Sequence, residues 1–248
     1  MAENKYPISE YLNSEELLGI LADMIRIPSH MGYSRRECDM VDYIASLCRK
    51  EGIEYRLQPA DGERCNIIAV IRVNGSGKSL MFNGHTDTVP VAGMDAPYNA
   101  VIRDGYMYGR GTTDMKGGLA AMLYSLILIK RMGIELDGDL VFAGVIDEEA
   151  AKSTGSRVVA EQGPITILVN NAGNHCKKPI EEMSVEEYQS VLNVHLVGAF
   201  ALTKALIPHM KEQKKGSILF QASMTSYNGH PYVAGYATAK AGYLGLVH

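Results

Sequence analysis

The sequence predicts an α/β fold. Two helical stretches near the amino terminus give way to β-rich runs, and beyond them apolar strand-like segments alternate with helical ones. The runs 140–146 and 165–169 are almost continuously apolar, as strands covered on both faces should be.

Taken in order, Asn13-Ser14-Glu15-Glu16 supplies an N-cap signal, and Leu17, Leu18, Ile20, Leu21 and Ile25 follow at helical spacing. Ser34-Arg35-Arg36-Glu37 predicts a second helix start; Met40, Val41, Ile44, Leu47 and Cys48 form its buried stripe, and Gly52 marks its end. Residues 66–73 and 79–82 read as neighbouring strands joined by the turn 74–78. Gly77-Lys78-Ser79 is not a phosphate-binding loop, because Arg72 stands where the first glycine is needed. Residues 115–132 form a helix capped by Gly133. Ser184-Val185-Glu186-Glu187 opens a long helix toward Gln213, interrupted by Gly198 and Pro208. A strand at 217–221 and a last helix at 232–248 complete the reading.

A chain of 248 residues with 46% apolar content can bury a substantial core. A net charge of -4 and no run of like charges argue against a nucleic-acid partner and for a small-molecule substrate. The four cysteines, Cys38, Cys48, Cys65 and Cys176, form no Cys-x-x-Cys pair and read as free thiols in a reducing compartment. There is no secretory leader pattern, and no stretch is expected to supply the roughly 18 apolar residues of a membrane span. The expected location is the cytoplasm.

Two chemical patterns occupy separate parts of the chain. His85-x-Asp87 follows an apolar strand, so the imidazole and a carboxylate that can orient it share one face. Asp114 stands at a helix start and Glu148-Glu149 at a strand end. The runs NGHTDTVP, YGRGTTDMKGG and DEE together resemble the di-zinc peptidase and deacylase family that includes aminoacylase, acetylornithine deacetylase and succinyl-diaminopimelate desuccinylase. The resemblance covers residues 1–157. It implies His85 as ligand of one zinc, Asp87 as the group orienting it, Asp114 as the bridge, Glu148 as general base and Glu149 as ligand of the other zinc. That family takes one more carboxylate after the Glu-Glu pair, a further histidine and a lid domain, none with a matching motif here, so each zinc site is expected to be partial. His175, His195, His209, His230 and Cys176 are read as structural or surface groups.

From Gly163 the run GPITILVNNAG, then Asn193, Ser223 and Tyr236-x-x-x-Lys240, resembles the short-chain dehydrogenase/reductase family over residues 158–248. Residues four apart share a helical face, so the Lys240 ammonium can lower the Tyr236 pKa and make the phenol a proton donor. The resemblance implies Ser223 on the substrate oxygen, Asn193 holding a water linked to Lys240, and Asn170, Ala172, Gly173, Tyr236 and Lys240 against NAD or NADP. No Gly-x-Gly-x-x-Gly turn precedes these residues, so the nucleotide site too is expected to be partial.

The expected architecture is therefore the amino-terminal part of a di-zinc hydrolase catalytic domain joined to the central part of a Rossmann-like dehydrogenase domain, with strands compatible with one fused sheet. The leading functional expectation is a hybrid with both sites incomplete. A zinc-dependent deacylase or peptidase, and an NAD(P)-dependent oxidoreductase of a sugar, polyol or ketoacyl compound, are the alternatives. Self-association is expected through helices 184–213 and 232–248.

Overall fold

The structure is a computed structural model that describes residues 8–75, 77–149, 154–155, 166–170, 173 and 176–247. A short α1 (Ile8–Tyr11) leads into α2 (Ser14–Arg26), whose N-cap Asn13 accepts from the Glu15 and Glu16 backbone N–H groups. The second helix, α3 (Cys38–Lys50), begins three residues later than an N-cap at Ser34 predicts and has no side-chain cap. Glu37, which the sequence places inside the helix, is its cap residue and is drawn instead into contact with Arg64.

Six strands form one sheet in the order β1 (Glu54–Asp61), β2 (Arg64–Ile71), β6 (Leu140–Val145), β3 (Leu80–His85), β7 (Ile167–Asn170) and β8 (Ser217–Phe220). β1 and β2 form a hairpin that the sequence reading missed, and β2 runs antiparallel to β6. From β6 through β3 and β7 to β8 the pairing is parallel. The 74–78 turn therefore does not join neighbouring strands, because β6 lies between β2 and β3. The crossover carried by α4 (Gly117–Met132) places it there. α4 ends at Gly133 in the left-handed region (φ 59), as its C-cap signal predicts. A small separate hairpin pairs β4 (Val101–Arg103) with β5 (Tyr106–Tyr108); Asp104 and Gly105 both have positive φ, the geometry of a tight two-residue turn.

Alternation along the strands divides the core. Ile67, Ala69 and Phe142 face α2, α3 and α4, where Met24, Ile44, Leu119 and Leu123 are fully buried. Ile68, Met81, Ala143 and Val145 line the other face. On that face Leu168, in register with Met81, packs under Leu206 and Met210. Arg131 ties α4 to its neighbours by ion pairs with Glu16 and Glu51, both at 2.7 Å.

The predicted long helix is α5 (Val185–Leu192), opened by a capping box at Ser184, then a wider turn at Asn193–Gly198 and α6 (Ala199–Glu212), with Pro208 inside. Against expectation, the continuous run Val185–Glu212 is long and apolar enough, by length and composition, to cross a membrane. Here its Leu206 and Met210 rest on the sheet. The last helix, α7 (Ala234–Val247), starts two residues later than predicted. The expected boundary at 157/158 lies outside the described residues.

Candidate functional site

His85 ends β3 and is buried. Gly84 before it lies close under α4 and the turn before it: a Cβ there would lie 2.6 Å from the Met122 methyl and 2.9 Å from that of Met115. Thr86 continues the ladder, its N–H donating to Val145 O at 2.8 Å, so His85, Asp87 and the end of β6 are held side by side. His85 Nδ1 is 3.0 Å from Asp87 O and 3.5 Å from Asp87 Oδ1, while Nε2 is 3.1 Å from Asp114 Oδ1 and 3.7 Å from Glu148 Oε2. Asp87 thus meets the imidazole chiefly through its backbone carbonyl. Its carboxylate accepts the Glu148 N–H at 3.3 Å and the Glu149 N–H at 2.9 Å, fixing the carboxylate corner.

Asp114 reaches the cluster from an irregular turn, Thr112–Lys116, in which it is extended (φ -131, ψ 105). Two devices anchor that turn. Gly111 has φ 86, and a Cβ there would meet the Lys116 and Thr88 side chains at 2.9 Å. Lys116 is fully buried, and its Nζ donates to Met24 O at 2.9 Å and Ile27 O at 2.7 Å, the carbonyls at the end of α2. Burial pushes its ammonium down to about 7. The sequence reading did not single out Lys116; a cation beside Asp114 reads as a surface residue until α2 is placed over it.

Nitrogen and oxygen ligand atoms of His85, Glu148 and Glu149 all lie within 4.8 Å of one another. Glu148 Oε2 is buried without a hydrogen-bond partner. Burial lifts the Glu148 carboxyl to about 7, with His85 opposing and Asp87 and Asp114 adding. Burial likewise lifts Glu149 to about 8, with His85 opposing and Asp114 and Glu148 adding. His85 is raised well above the usual imidazole value: burial opposes the charge, and Glu148, Asp114 and Asp87 outweigh it. An orphaned carboxylate oxygen among crowded acidic groups and one imidazole fits a divalent cation, and the N/O donor set is one that zinc accepts.

The second group is less convergent. Tyr236 and Lys240 share a face of α7, with Lys240 Nζ 5.6 Å from the Tyr236 ring centre. Lys240 is 3% exposed, its Nζ donates to Gln221 O at 2.6 Å, and burial lowers its ammonium to about 8. Ser223 Oγ accepts the Thr225 N–H at 3.2 Å and caps the short turn 224–226. Asn193 Oδ1 accepts from Gln189 Nε2 at 2.8 Å, one helical turn back. His195, which the sequence reading set aside, stands edge-on to Tyr236 with ring centres 5.1 Å apart. Asn170 Nδ2 is 3.5 Å from Thr203 Oγ1, and Gly173 backs onto the His195 ring. Ala172 lies outside the described residues.

This geometry defines a two-part α/β protein, with a histidine–carboxylate cluster on β3 and β6 and a tyrosine–lysine helix beside β7 and β8. Similarity to known proteins divides the same way. Residues 134–248 match the family model of the short chain dehydrogenases. The amino-terminal part is similar to N-formyl-4-amino-5-aminomethyl-2-methylpyrimidine deformylase of Halalkalibacterium halodurans, 31% identical over 66% of this chain and 40% of that protein. A 3-oxoacyl-[acyl-carrier-protein] reductase of Thermotoga maritima is 31% identical over 55% of each chain. The fold of the first part is that of the Saccharomyces cerevisiae di-peptidase Dug1p (TM-score 0.55, 20% identity, 67% of this chain and 40% of that one). The chain therefore spans about half or less of the length of these relatives. The deformylase match, covering 66% of 248 residues, reaches at least to about residue 164, while the dehydrogenase match starts at 134. Both matches cover β6 and the Asp147-Glu148-Glu149 corner.

Proposed function

We propose that this chain is a hybrid whose surviving chemistry is the binding of a divalent cation, zinc by its donor set, at His85, Asp114, Glu148 and Glu149. On this reading neither the amidohydrolase nor the reductase site is complete. The observation that carries it is the buried Glu148 Oε2, 3.7 Å from His85 Nε2 and without a hydrogen-bond partner. When bound, such an ion polarises a carbonyl and acidifies water. His85, Glu148 and Glu149 would hold it, with Asp114 reaching the same imidazole. Glu148, lifted to about 7, is suited to move a proton near neutral pH, which supports a deacylase or peptidase as the second reading. His85, Glu148 and Glu149 supply three donors, the usual complement of a single zinc, so the incompleteness in this reading concerns a second cation. His195 belongs instead to the Tyr236 neighbourhood.

A nicotinamide nucleotide does not fit the second group. A dinucleotide seat needs a glycine-rich turn running into a helix N-terminus beside the strand of Asn170. The strand in that place is β3, and the turn after it carries Asp87, already committed to the Glu148 and Glu149 amides. On the same reading the chain takes a small-molecule partner and no nucleic acid, self-associates through helices 184–213 and 232–248, and works in the cytoplasm.

The test is zinc binding to the full chain by chelator competition, beside NADPH fluorescence and hydrolysis of N-acyl amino acids. Zinc uptake that His85→Ala abolishes, with no NADPH enhancement and no hydrolysis, is the expected result. Failure to take up zinc overturns the cation site, and zinc-dependent hydrolysis replaces the hybrid reading with the deacylase one.

A further inference from the structure

Behind the carboxylate corner lies a buried ion-pair group that the cation reading leaves unused. Asp147, just past β6, has φ 68, a left-handed conformation uncommon outside glycine. This residue takes the chain off the strand, so that Glu148 and Glu149, consecutive in sequence, both bring ligand atoms to His85. Its own carboxylate, on a residue 1% exposed, is held elsewhere. Oδ1 accepts from Arg36 Nη2 and from Arg64 Nη1, each at 3.1 Å, and Oδ2 accepts from Thr154 Oγ1 at 3.1 Å.

Arg64 opens β2 and is the hub of the group. The same Nη1 reaches both oxygens of the buried Glu37 at 3.1 and 3.4 Å, and Nη2 donates to Asp61. One planar guanidinium thereby ties the start of α3, the β1–β2 turn and the end of β6. A lysine, with a single charged nitrogen, cannot match three carboxylates in this way. On the opposite side, Asp87 accepts the Glu148 and Glu149 amides, so the corner is clamped from both flanks.

We infer that Arg64 is a positioning residue for the cation cluster: by fixing the Asp147 carboxylate it holds the left-handed turn that aims Glu148 and Glu149 at His85. The inference rests on the cation site proposed above, and it adds to that site a guanidinium whose own hydrogen bonds go to Asp61, Glu37 and Asp147. Charge-assisted hydrogen bonds to a buried carboxylate are strong enough to maintain an unfavourable backbone conformation. Groups that orient metal ligands in this manner typically govern affinity by roughly 10–100-fold.

The experiment compares wild-type, Arg64→Met, Arg64→Lys and Asp147→Asn full-length chains. Zinc affinity is read by chelator competition, and amide hydrogen exchange is followed at Glu148 and Glu149 in the metal-free protein, with the Phe142 amide reporting the sheet. Arg64→Met is expected to weaken zinc binding roughly 10–100-fold and to expose the Glu148 and Glu149 amides while Phe142 stays protected. Arg64→Lys should restore part of both effects, a recovery that a purely structural role would not produce. Asp147→Asn, which keeps the side-chain shape, gives the same readouts if Arg64→Met does not fold. Unchanged Glu148 and Glu149 protection in the folded variants overturns the inference whether or not zinc binds. If the wild type takes up no zinc, the cation reading falls on its own, and amide exposure in Arg64→Met that Arg64→Lys reverses still sustains the positioning.

Discussion

Met81 of β3 stands in parallel register with Leu168 of β7, and this pair joins the hydrolase-like strands to the dehydrogenase-like ones. Leu168 is 1% exposed and packs with Leu206 and Met210, whereas Met81 packs with Ile68, Ala143 and Val145, a separate apolar cluster. Leu168→Ala should therefore cost about 2–5 kcal/mol, the usual range for emptying such a site. The loss should fall on one side of the seam. Hydrogen exchange should accelerate in β8 and α6 more than in β2 and α3, and an even increase across the sheet would show a seam as strongly coupled as the rest.

Gly173 occupies a place that no side chain can share with His195 in its present position. A Cβ there would lie 1.9 Å from His195 Cε1, and the imidazole, 2% exposed, is itself set edge-on to Tyr236. Gly173→Ala is expected to destabilise the protein by about 1–3 kcal/mol, the range for overpacking. In the His195→Ala background most of that cost should vanish. A double-mutant cycle by urea denaturation measures the coupling, and additive effects of the two substitutions would refute the clash.

The parallel strands and the α4 cap at Gly133 are legible in the sequence because each carries a local signature, continuous apolar runs and a glycine stop; the His85, Asp114, Glu148, Glu149 grouping is legible only through the resemblance carried by three motifs together. Strand order was not legible. Residues 74–78 look like a link between neighbours, and nothing local reveals that α4 returns β6 into the gap between β2 and β3. Arg64 and Lys116 were invisible as site residues for a related reason: each acts through partners tens of residues away, Asp147 in one case and the end of α2 in the other. Asn193 is picked out by resemblance, and its carbonyl accepts from Gln189; His195, which no motif marks, stands beside Tyr236. The Asp104-Gly105 turn was a readable hairpin signal that went unread.

Self-association has a definite surface to test. Val197, in the wider turn before α6, and Phe200, at the start of α6, are each 50% exposed, while Leu206 of that helix is fully buried against the sheet. Apolar side chains concentrated on one helix face favour a partner of like chemistry. Sedimentation velocity should show a dimer or larger species that Phe200→Glu shifts to monomer with little change in melting temperature. A wild-type monomer at tens of micromolar would end this expectation.

The carboxylate corner also sets how stability depends on pH. In the unfolded chain Glu148 and Glu149 ionise near 4.5, whereas burial raises them to about 7 and about 8 in the fold. Across the window from about 4.5 to about 8 the folded state thus binds more protons than the unfolded one, and stability falls as pH rises. His85 acts in the same sense: its folded value lies above 6.5, so its contribution is full below that pH and is lost as the folded imidazole titrates. The zinc-free protein should melt at progressively lower temperature from pH 5 to pH 8, and Glu149→Gln, which removes one of these carboxyls, should flatten the trend. A bound cation competes with the same protons, so the stabilisation conferred by zinc should grow over the interval in which the free protein weakens. Melting curves in chelator and in zinc at four pH values test both slopes. A Glu149→Gln profile parallel to wild type in chelator would show that Glu149 titrates alike in folded and unfolded chains, and that the corner is not the crowded acidic site described here.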